Sequence, residues 1–339
     1  IGKLAIAQDN LGEGNINQNI ARVRIQNKNW NPYYVGLFFN SKLGQLQILR
    51  LTTGNAQAYL NSEQIKSLIV PILSPKQQEE IKSYFKNIDQ QINISKSLYS
   101  QAENLLLEKL GLEDFQIEDN LSYIVNLSEV QASNRIDSDF FQPKYDQLTN
   151  HLKKVKTQKL GNLLKRKTKQ IKIHTDENYK YIEISDVNVS SGEVVFNEML
   201  GAELPASAQI PISGGELIIS KVRPTRGAIS NIPKGWDNNF VCSGAFSVFE
   251  DKENLDEYLF MVLRSIVGKL QMERPCTGTS YPTITDQDIE NIVIPILPQP
   301  TQQKIADLVQ KSHSARQKSK ELLKTAKRKV EEMIEKGDE

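Results

Sequence analysis

The chain has 339 residues, in which 42 lysines and arginines nearly balance 41 aspartates and glutamates and leave a formal net charge of +1. That length predicts two or three domains, and the net charge gives no overall electrostatic argument for nucleic-acid binding. Three scattered histidines exclude a histidine metal site at any ligand spacing. Two cysteines predict a protein of the reducing cytoplasm without disulfides. No apolar run approaches the ~18 residues of a membrane span. We also expect no cofactor.

The first predicted elements recur later in the chain. Residues 52–78 read TTGNAQAYLNSEQIKSLIVPILSPKQQ, and residues 276–303 read CTGTSYPTITDQDIENIVIPILPQPTQQ. With Gly54 aligned to Gly278, these passages and their flanks share 14 identities in 48 gap-free positions, where unrelated sequences would share roughly three. We interpret them as two copies of one module. The second copy has far more sequence ahead of it, so we expect the first to lack its N-terminal part.

Each copy ends in a predicted long helix, from about Gln77 to Leu110 and from Gln302 to Glu335. Apolar and small residues alternate at spacings of three and four, which is typical of a coiled-coil seam. Because short isolated helices are marginal in water, we expect the two helices to pair with each other. The seam residues are Ile81, Phe85, Ile88, Ile92, Ser95, Tyr99, Ala102 and Leu106 in the first helix, and Ile305, Leu308, Ser312, Ala315, Ser319, Leu322 and Ala326 in the second.

Strand-like, glycine-punctuated sequence is predicted to open each copy, and in the second copy it occupies residues 215–235 and 240–249. A short helix is expected from Asp256 to Met272, followed by a Thr-Gly loop. Another helix opens at Thr285, and the sequence NIVIPIL at 291–297 predicts a strand.

Three segments are candidates for binding DNA. Loops on a rigid scaffold concentrate binding residues, and Arg, Lys, Ser and Thr can contact phosphates or bases. The candidates are Lys221, Arg223, Thr225 and Arg226 on a Pro/Gly turn, Thr277, Thr279, Ser280 and Tyr281 in the Thr-Gly loop, and Lys165, Arg166 and Lys167 in the basic run at 153–172. The alternative is that the Pro/Gly turn and the Thr-Gly loop are only structural turns, with Gly54 and Gly278 supplying positive φ. The basic run would then be a solvated face.

Two catalytic interpretations are weaker. Asn31 to Tyr34 reads NPYY, similar to the Asn-Pro-Pro-Tyr motif of amino-methyltransferases, but it lacks the second proline and aligns with the predicted helix start at Leu255 to Tyr258. Asp237, Glu250 and Lys252 are residue types suited to Mg²⁺ in a nuclease, but their spacing is loose. We therefore expect no catalytic residues.

The repeated order resembles a known family. A variable β-rich domain, a passage such as NIVIPILPQPTQQKIADLV and a long helix, twice over, resemble the DNA-specificity (S) subunit of type I restriction–modification systems. RIDSDFFQPKYDQL at 135–148 and YIEISDVNVSSGEV at 181–194 resemble passages that open target-recognition domains in that family. The resemblance covers essentially the whole chain.

The resemblance implies an α+β fold with two β-rich target-recognition domains, the first incomplete, separated by long helices that form an antiparallel coiled coil. It also implies the domain limits: residues 1–74 are the C-terminal part of the first recognition domain, 75–111 the first long helix, 112–299 the second recognition domain and 300–336 the second long helix.

The resemblance further implies a non-catalytic subunit that reads a bipartite target in double-stranded DNA. Its partners would be methyltransferase (modification) subunits and a restriction/translocase subunit, with no membrane. The helices would set the gap between the half-sites. Two alternatives stay open: the C-terminal part of a single-chain restriction–methylation enzyme, and a coiled-coil scaffold that binds no DNA.

Overall fold

The computed structural model describes residues 2–7, 12–53, 59–117, 122–236, 239–250 and 256–336, which form two compact units. Unit 1 contains residues 1–97 and 312–339, and unit 2 contains residues 98–311. Helices and strands both occur, which confirms the α+β class. The α-helices are α1 (Pro32–Asn40), α2 (Lys42–Leu51), α3 (Ser62–Lys66), α4 (Pro75–Leu110), α5 (Leu127–Ser133), α6 (Pro143–Leu152), α7 (Leu160–Leu163), α8 (Asp256–Arg264), α9 (Ile266–Glu273), α10 (Asp286–Glu290) and α11 (Gln299–Lys336).

The strands of the described residues lie in unit 2 and form two four-stranded sheets and a separate pair. One sheet has the order β2-β9-β6-β7, the other β4-β3-β8-β5, and β1 pairs with β10. Every pairing is antiparallel except that of β3 with β8. The strands are β1 (Thr157–Lys159), β2 (Lys165–Arg166), β3 (Asn178–Ile182), β4 (Asn197–Leu200), β5 (Ala208–Ile212), β6 (Glu216–Ser220), β7 (Ile229–Asn231), β8 (Phe240–Ser243), β9 (Phe246–Glu250) and β10 (Val293–Pro295).

Both sheets contribute to a shared apolar core in unit 2. Phe240 and Cys242 of β8 pack with Ile218 of β6 and Val248 of β9. Strands β6 and β8 are buried at every position, so they show continuous apolar runs rather than alternation. The turn at Gly244 carries the chain from one sheet to the other, and the predicted strand region at 240–249 is therefore two strands.

The long helices pair antiparallel within each unit, as predicted. In unit 1, Ile81 packs with Ala326 and Val330, and the hydroxyls of Ser95 and Ser312 lie 3.0 Å apart. In unit 2, Leu106 of α4 and Val309 of α11 belong to one apolar cluster. The seam departs from the predicted one near Val309, which is fully buried whereas the predicted Leu308 is partly exposed. It departs again near Leu322, where Leu323 packs against the core of unit 1.

The identities between the two copies mark the same contacts in both units. In each copy, glutamine side chains donate to the backbone of the passage that leads into the long helix. The tyrosine hydroxyl of each copy donates to the carbonyl of the equivalent proline. These contacts join the short helices to the start of the long helix. They are Tyr34 Oη to Pro71 O and Tyr258 Oη to Pro295 O, both 2.7 Å; Gln47 Nε2 to Ile69 O, 3.0 Å, and Gln271 Nε2 to Val293 O, 2.9 Å; Gln78 Nε2 to Leu73 O, 2.9 Å, and Gln302 Nε2 to Leu297 O, 2.7 Å.

The predicted single helix from Asp256 to Met272 is wrong, since the chain forms α8 and α9 with a break at Ser265. The Ser265 hydroxyl accepts the Val267 N–H at 3.2 Å and donates to Val262 O at 2.7 Å, so it caps the second helix and ends the first. Ser41 holds the corresponding place between α1 and α2. The capping serine therefore belongs to the repeat, and it favours two short helices over one.

The copies differ in what covers them. In unit 2, α6 packs on α9, and β1 pairs with β10. In unit 1, the strand-like start predicted for the first copy is not seen in the described residues, and residues 69–71, the counterparts of β10, form no strand. The apolar side chains on that face are consequently exposed: Leu46, Leu49, Ile69 and Ile72.

We expect Tyr34→Phe and Tyr258→Phe each to lower the thermal midpoint of the unit that carries the change. Both rings are buried, and burial raises the pKa of Tyr34 to about 12. Each substitution removes the donor to a proline carbonyl, a loss of about 1–2 kcal/mol. Differential scanning calorimetry measures the shift, with the 66 % exposed Tyr281 changed to Phe as the control. Equal midpoints for all three variants would contradict the role of the repeated hydrogen bond.

Candidate nucleic-acid interface

The turn that follows β6 and the Thr-Gly loop, separate in sequence, come together in unit 2. The Arg223 N–H donates to Pro282 O at 2.7 Å, and the Ile284 N–H donates to Lys221 O at 3.0 Å. Val222 and Thr283 form a β-bridge. Two of the three predicted segments thus form one backbone-paired loop cluster.

Arg223 is held in an unusual conformation at the centre of this cluster. Its backbone is left-handed, with φ 48° and ψ 52°, which costs a non-glycine residue about 1–2 kcal/mol. Its guanidinium donates to Ser280 O at 2.9 Å and lies 4.2 Å from the centroid of the Tyr281 ring. Such a conformation persists only where the surrounding structure holds it, and residues of this kind are often found at functional sites.

Arg223 and Tyr281 line a groove of about 650 Å³. One lip is the turn after β6, with Arg223 and Arg226, and the other is the segment Ile184–Ser190. The floor is apolar and includes Val187 and Ala228. In the described part of the chain, neither arginine of this groove forms an ion pair with a carboxylate, so both positive charges are available to an anionic ligand.

The remaining residues of the two loops surround this groove or support it. The backbones of Thr277 and Thr283 exchange hydrogen bonds of 3.0 and 2.9 Å. Thr277, Thr279 and Ser280 are exposed, and Thr225 is half-buried. Gly278 has φ +89°, so its predicted conformational role is confirmed, whereas Gly54 lies outside the described residues.

Lys221 and the basic run are engaged with acids. Lys221 Nζ and Arg166 Nη1 lie 3.4 and 3.5 Å from Asp286, and Arg166 Nε lies 2.6 Å from Glu290. Lys167 is paired with Glu216. Among the described residues, these cations therefore have carboxylate partners, whereas Arg223 and Arg226 do not. Lys165 is exposed and lies opposite Glu250 in the register of β2 and β9.

The segment Ile184–Ser190 was not predicted as a binding site, although all of it lies within the passage at 181–194 that resembles the family. Asn188 Oδ1 accepts the N–H groups of Ser190 and Ser191 at 3.0 and 3.1 Å, which folds the tip of this lip into a tight turn. The cluster of Asn, Ser and Gly was a turn signal. The groove itself depends on the approach of two distant loops.

The catalytic interpretations gain no support. Asn31 caps α1, since its side chain accepts the Tyr33 N–H at 2.9 Å. Asp237, Lys252 and Leu255 lie outside the described residues. Among the residues that are described, no cluster of His, Cys, Asp and Glu could hold a metal ion. Within the same residues, no helix is long and apolar enough to cross a membrane.

Comparison with known proteins gives one consistent set of relatives. Residues 1–104 and 151–326 match the family model described as type I restriction modification DNA specificity domain. The type I restriction enzyme HindI specificity subunit of Haemophilus influenzae is 30% identical over 133 residues, which are 36% of this chain and 29% of that protein. The matched part is thus less than a third of that relative.

Solved structures of two specificity subunits are also similar. The HsdS subunit from Thermoanaerobacter tengcongensis is 28% identical, with a TM-score of 0.40, over 45% of this chain and 40% of that chain. The type I restriction–modification S subunit from M. genitalium is 14% identical, with a TM-score of 0.39, over 89% of this chain and 73% of that one.

Proposed function

Because the chain belongs to the family of type I restriction–modification DNA specificity domains, we propose that it binds double-stranded DNA and selects the target sequence of such a system. The observation that carries the proposal is the groove of unit 2, where Arg223 and Arg226 face a cleft without a carboxylate partner among the described residues. The duplex carries about one negative charge per 1.7 Å of its axis, which complements these two cations.

The groove offers the chemistry for reading bases as well as for binding phosphates. A guanidinium can pair with O6 and N7 of guanine in the major groove, and hydroxyls can pair with any base edge. Arg223 is pre-ordered by Ser280 and Tyr281, so binding costs it little side-chain entropy. We assign base reading to Arg223 and Arg226, and supporting contacts to Thr225, Thr277, Thr279, Ser280 and Tyr281. Lys165, Arg166, Lys167 and Lys221 are secondary candidates, because acids already engage most of them.

The duplication supports a bipartite target. The two copies keep the contacts around the long helices and differ in their loops, as expected of two readers built on one scaffold. We propose that each copy belongs to one recognition domain, with limits at residues 74, 111 and 299. The long helices would dock methyltransferase subunits, and a restriction/translocase subunit would join them in the cytoplasm. The chain itself would be non-catalytic and use no cofactor.

We expect the chain to bind random-sequence duplex DNA at low salt and to lose affinity steeply as salt is added. Each phosphate contact releases counterions, so the logarithm of the affinity falls linearly with the logarithm of the salt concentration. Fluorescence anisotropy with a labelled duplex of about 30 base pairs, spanning roughly three turns, measures this slope. No binding at 50 mM salt would overturn the proposal and favour the scaffold that binds no DNA.

Sequence selectivity needs a second measurement. The wild-type chain should enrich from a randomised duplex library at least the half-site that unit 2 reads, because unit 2 contains the strands of the described residues. Enrichment of no sequence would contradict the assignment of target selection to this unit while leaving DNA binding intact.

A further inference from the structure

A buried arginine lies beneath the groove and is not explained by it. Arg264, the last residue of α8, is 5% exposed. Its guanidinium donates to Val189 O at 2.9 Å and to Tyr99 Oη at 3.1 Å. A further Nη1 hydrogen bond reaches Gly227 O.

These acceptors belong to both lips of the groove and to a long helix. Val189 lies at the tip of the Ile184–Ser190 lip, and Gly227 closes the turn that carries Arg223 and Arg226. Tyr99 lies on α4. A guanidinium is a rigid planar fork with donors in fixed directions. One side chain therefore fixes the two lips relative to each other and to the helix.

The surroundings of Arg264 explain why the fork keeps this geometry. No carboxylate pairs with it among the described residues, so backbone carbonyls and the Tyr99 hydroxyl satisfy its buried charge. The Phe260 ring lies 5.0 Å from its Cζ. Gly192, two residues after the Ile184–Ser190 lip, has φ +73°, and a Cβ there would lie 2.4 Å from the Phe260 ring. The lip is thus packed against the residues that hold the arginine.

We propose that Arg264 is a positioning residue that sets the separation of the two lips and, through it, the base selectivity of the groove. It would touch no DNA itself. This inference rests on the proposed function, because it assigns selectivity to the same groove. It adds a residue that no loop motif contains, and it links the reading face to α4 through Tyr99.

The test compares Arg264→Lys, Arg264→Met and Tyr99→Phe with Lys159→Ala, which removes an exposed charge of unit 2 outside the groove lining. Lysine keeps the charge but cannot reach both carbonyls as a fork. Tyr99→Phe keeps the ring and removes one acceptor, so it gives a variant that folds if the Arg264 substitutions do not. Hydrogen exchange of residues 184–192 and 221–228 is measured without DNA, with β6 as the internal reference.

We expect both lips to exchange faster in the Arg264 variants and less so in Tyr99→Phe, while β6 stays protected. Selectivity between the enriched sequence and random duplex should fall about tenfold, while affinity for random duplex stays within about twofold because the phosphate contacts are retained. Lys159→Ala should leave the exchange of the lips unchanged.

Unchanged hydrogen exchange of the lips in both Arg264 variants would overturn the inference, whatever the result of the DNA-binding measurements. Faster exchange with intact selectivity would also overturn it, provided that Arg223→Ala lowers selectivity. If the lips loosen and neither the Arg264 nor the Arg223 variants alter DNA binding, the groove is not the reading face, and the proposed function of this site fails as well.

Discussion

We expect the double variant Arg223→Ala, Arg226→Ala to lose base selectivity in the half-site read by unit 2. A base-reading arginine contributes roughly 1–3 kcal/mol, and each 1.4 kcal/mol is tenfold in affinity, so two such residues separate the target from random duplex by about 30-fold to 10⁴-fold. The loss should be confined to the positions these residues contact, because the other half-site is read elsewhere. We expect the loop of Arg223→Ala to stay paired, because the hydrogen bonds that join it to the Thr-Gly loop are made by backbone atoms.

The measurement is enrichment from a randomised duplex library, followed by titration with the enriched sequence and with random duplex. The matched control is Lys153→Ala, Lys154→Ala, which removes two exposed positive charges outside the groove lining. If the arginines bind phosphates, affinity for every sequence falls alike and the salt slope decreases by about one per contact. Unchanged affinity and selectivity in the arginine variant would remove Arg223 and Arg226 from the interface.

Much of the scaffold could be predicted from sequence because the duplication exposes it. Two copies that diverge elsewhere retain the residues whose contacts cannot be replaced one at a time. Tyr258 needs the carbonyl of Pro295, and Gln302 needs that of Leu297. The period of the long helices likewise follows from elementary packing, although Val309 and Leu323 take seam positions that were predicted for Leu308 and Leu322.

The groove could be predicted only in part. The composition of each loop indicated binding residues, but their approach depends on pairing between segments nearly sixty positions apart, as in Arg223 with Ser280. Charge runs were less informative, because a run does not say which acids fold next to it. Arg166 and Lys167 are paired with Glu290 and Glu216, which no local pattern indicates. Arg264 was not predicted, since its acceptors are backbone carbonyls and the Tyr99 hydroxyl, which come from three separate segments.

The break between α8 and α9 shows a further limit of pattern reading. Apolar residues run through both helices, so the periodicity predicted one element. The capping hydroxyl of Ser265 and the missing side chain of Gly268 together decide for two, because they let the second helix begin against the backbone of the first. Both residues recur at Ser41 and Gly44, and the repeat was therefore a signal for this turn.

We expect Gly268→Ala to destabilise unit 2 severely. A Cβ at this position would lie 2.2 Å from Leu263 O and 2.4 Å from Leu263 Cα. These are backbone atoms, so no side-chain rotation relieves the overlap and α9 must move away from α8. Overpacking of this kind costs about 3 kcal/mol or more, which corresponds to a decrease of roughly 6–12 °C in the thermal midpoint of a unit of this size.

The same substitution at Gly44 tests whether the reason is shared, because a Cβ there would lie 2.3 Å from Phe38 O. Gly235→Ala is the matched control, since no atom lies within 4 Å of its added Cβ. Calorimetry should show a lower midpoint for the Gly44 and Gly268 variants and an unchanged one for Gly235→Ala. A Gly268→Ala protein within 2 °C of wild type would mean that the helices separate at little cost. In that case the close approach of the two helices would not explain why both copies have glycine at this position.

The Gly268 variant should also lose selectivity in DNA binding, because α9 leads directly into the loop that carries Thr277 and Tyr281. This loss should occur at temperatures below the thermal midpoint of the variant, where β6 is still protected from hydrogen exchange.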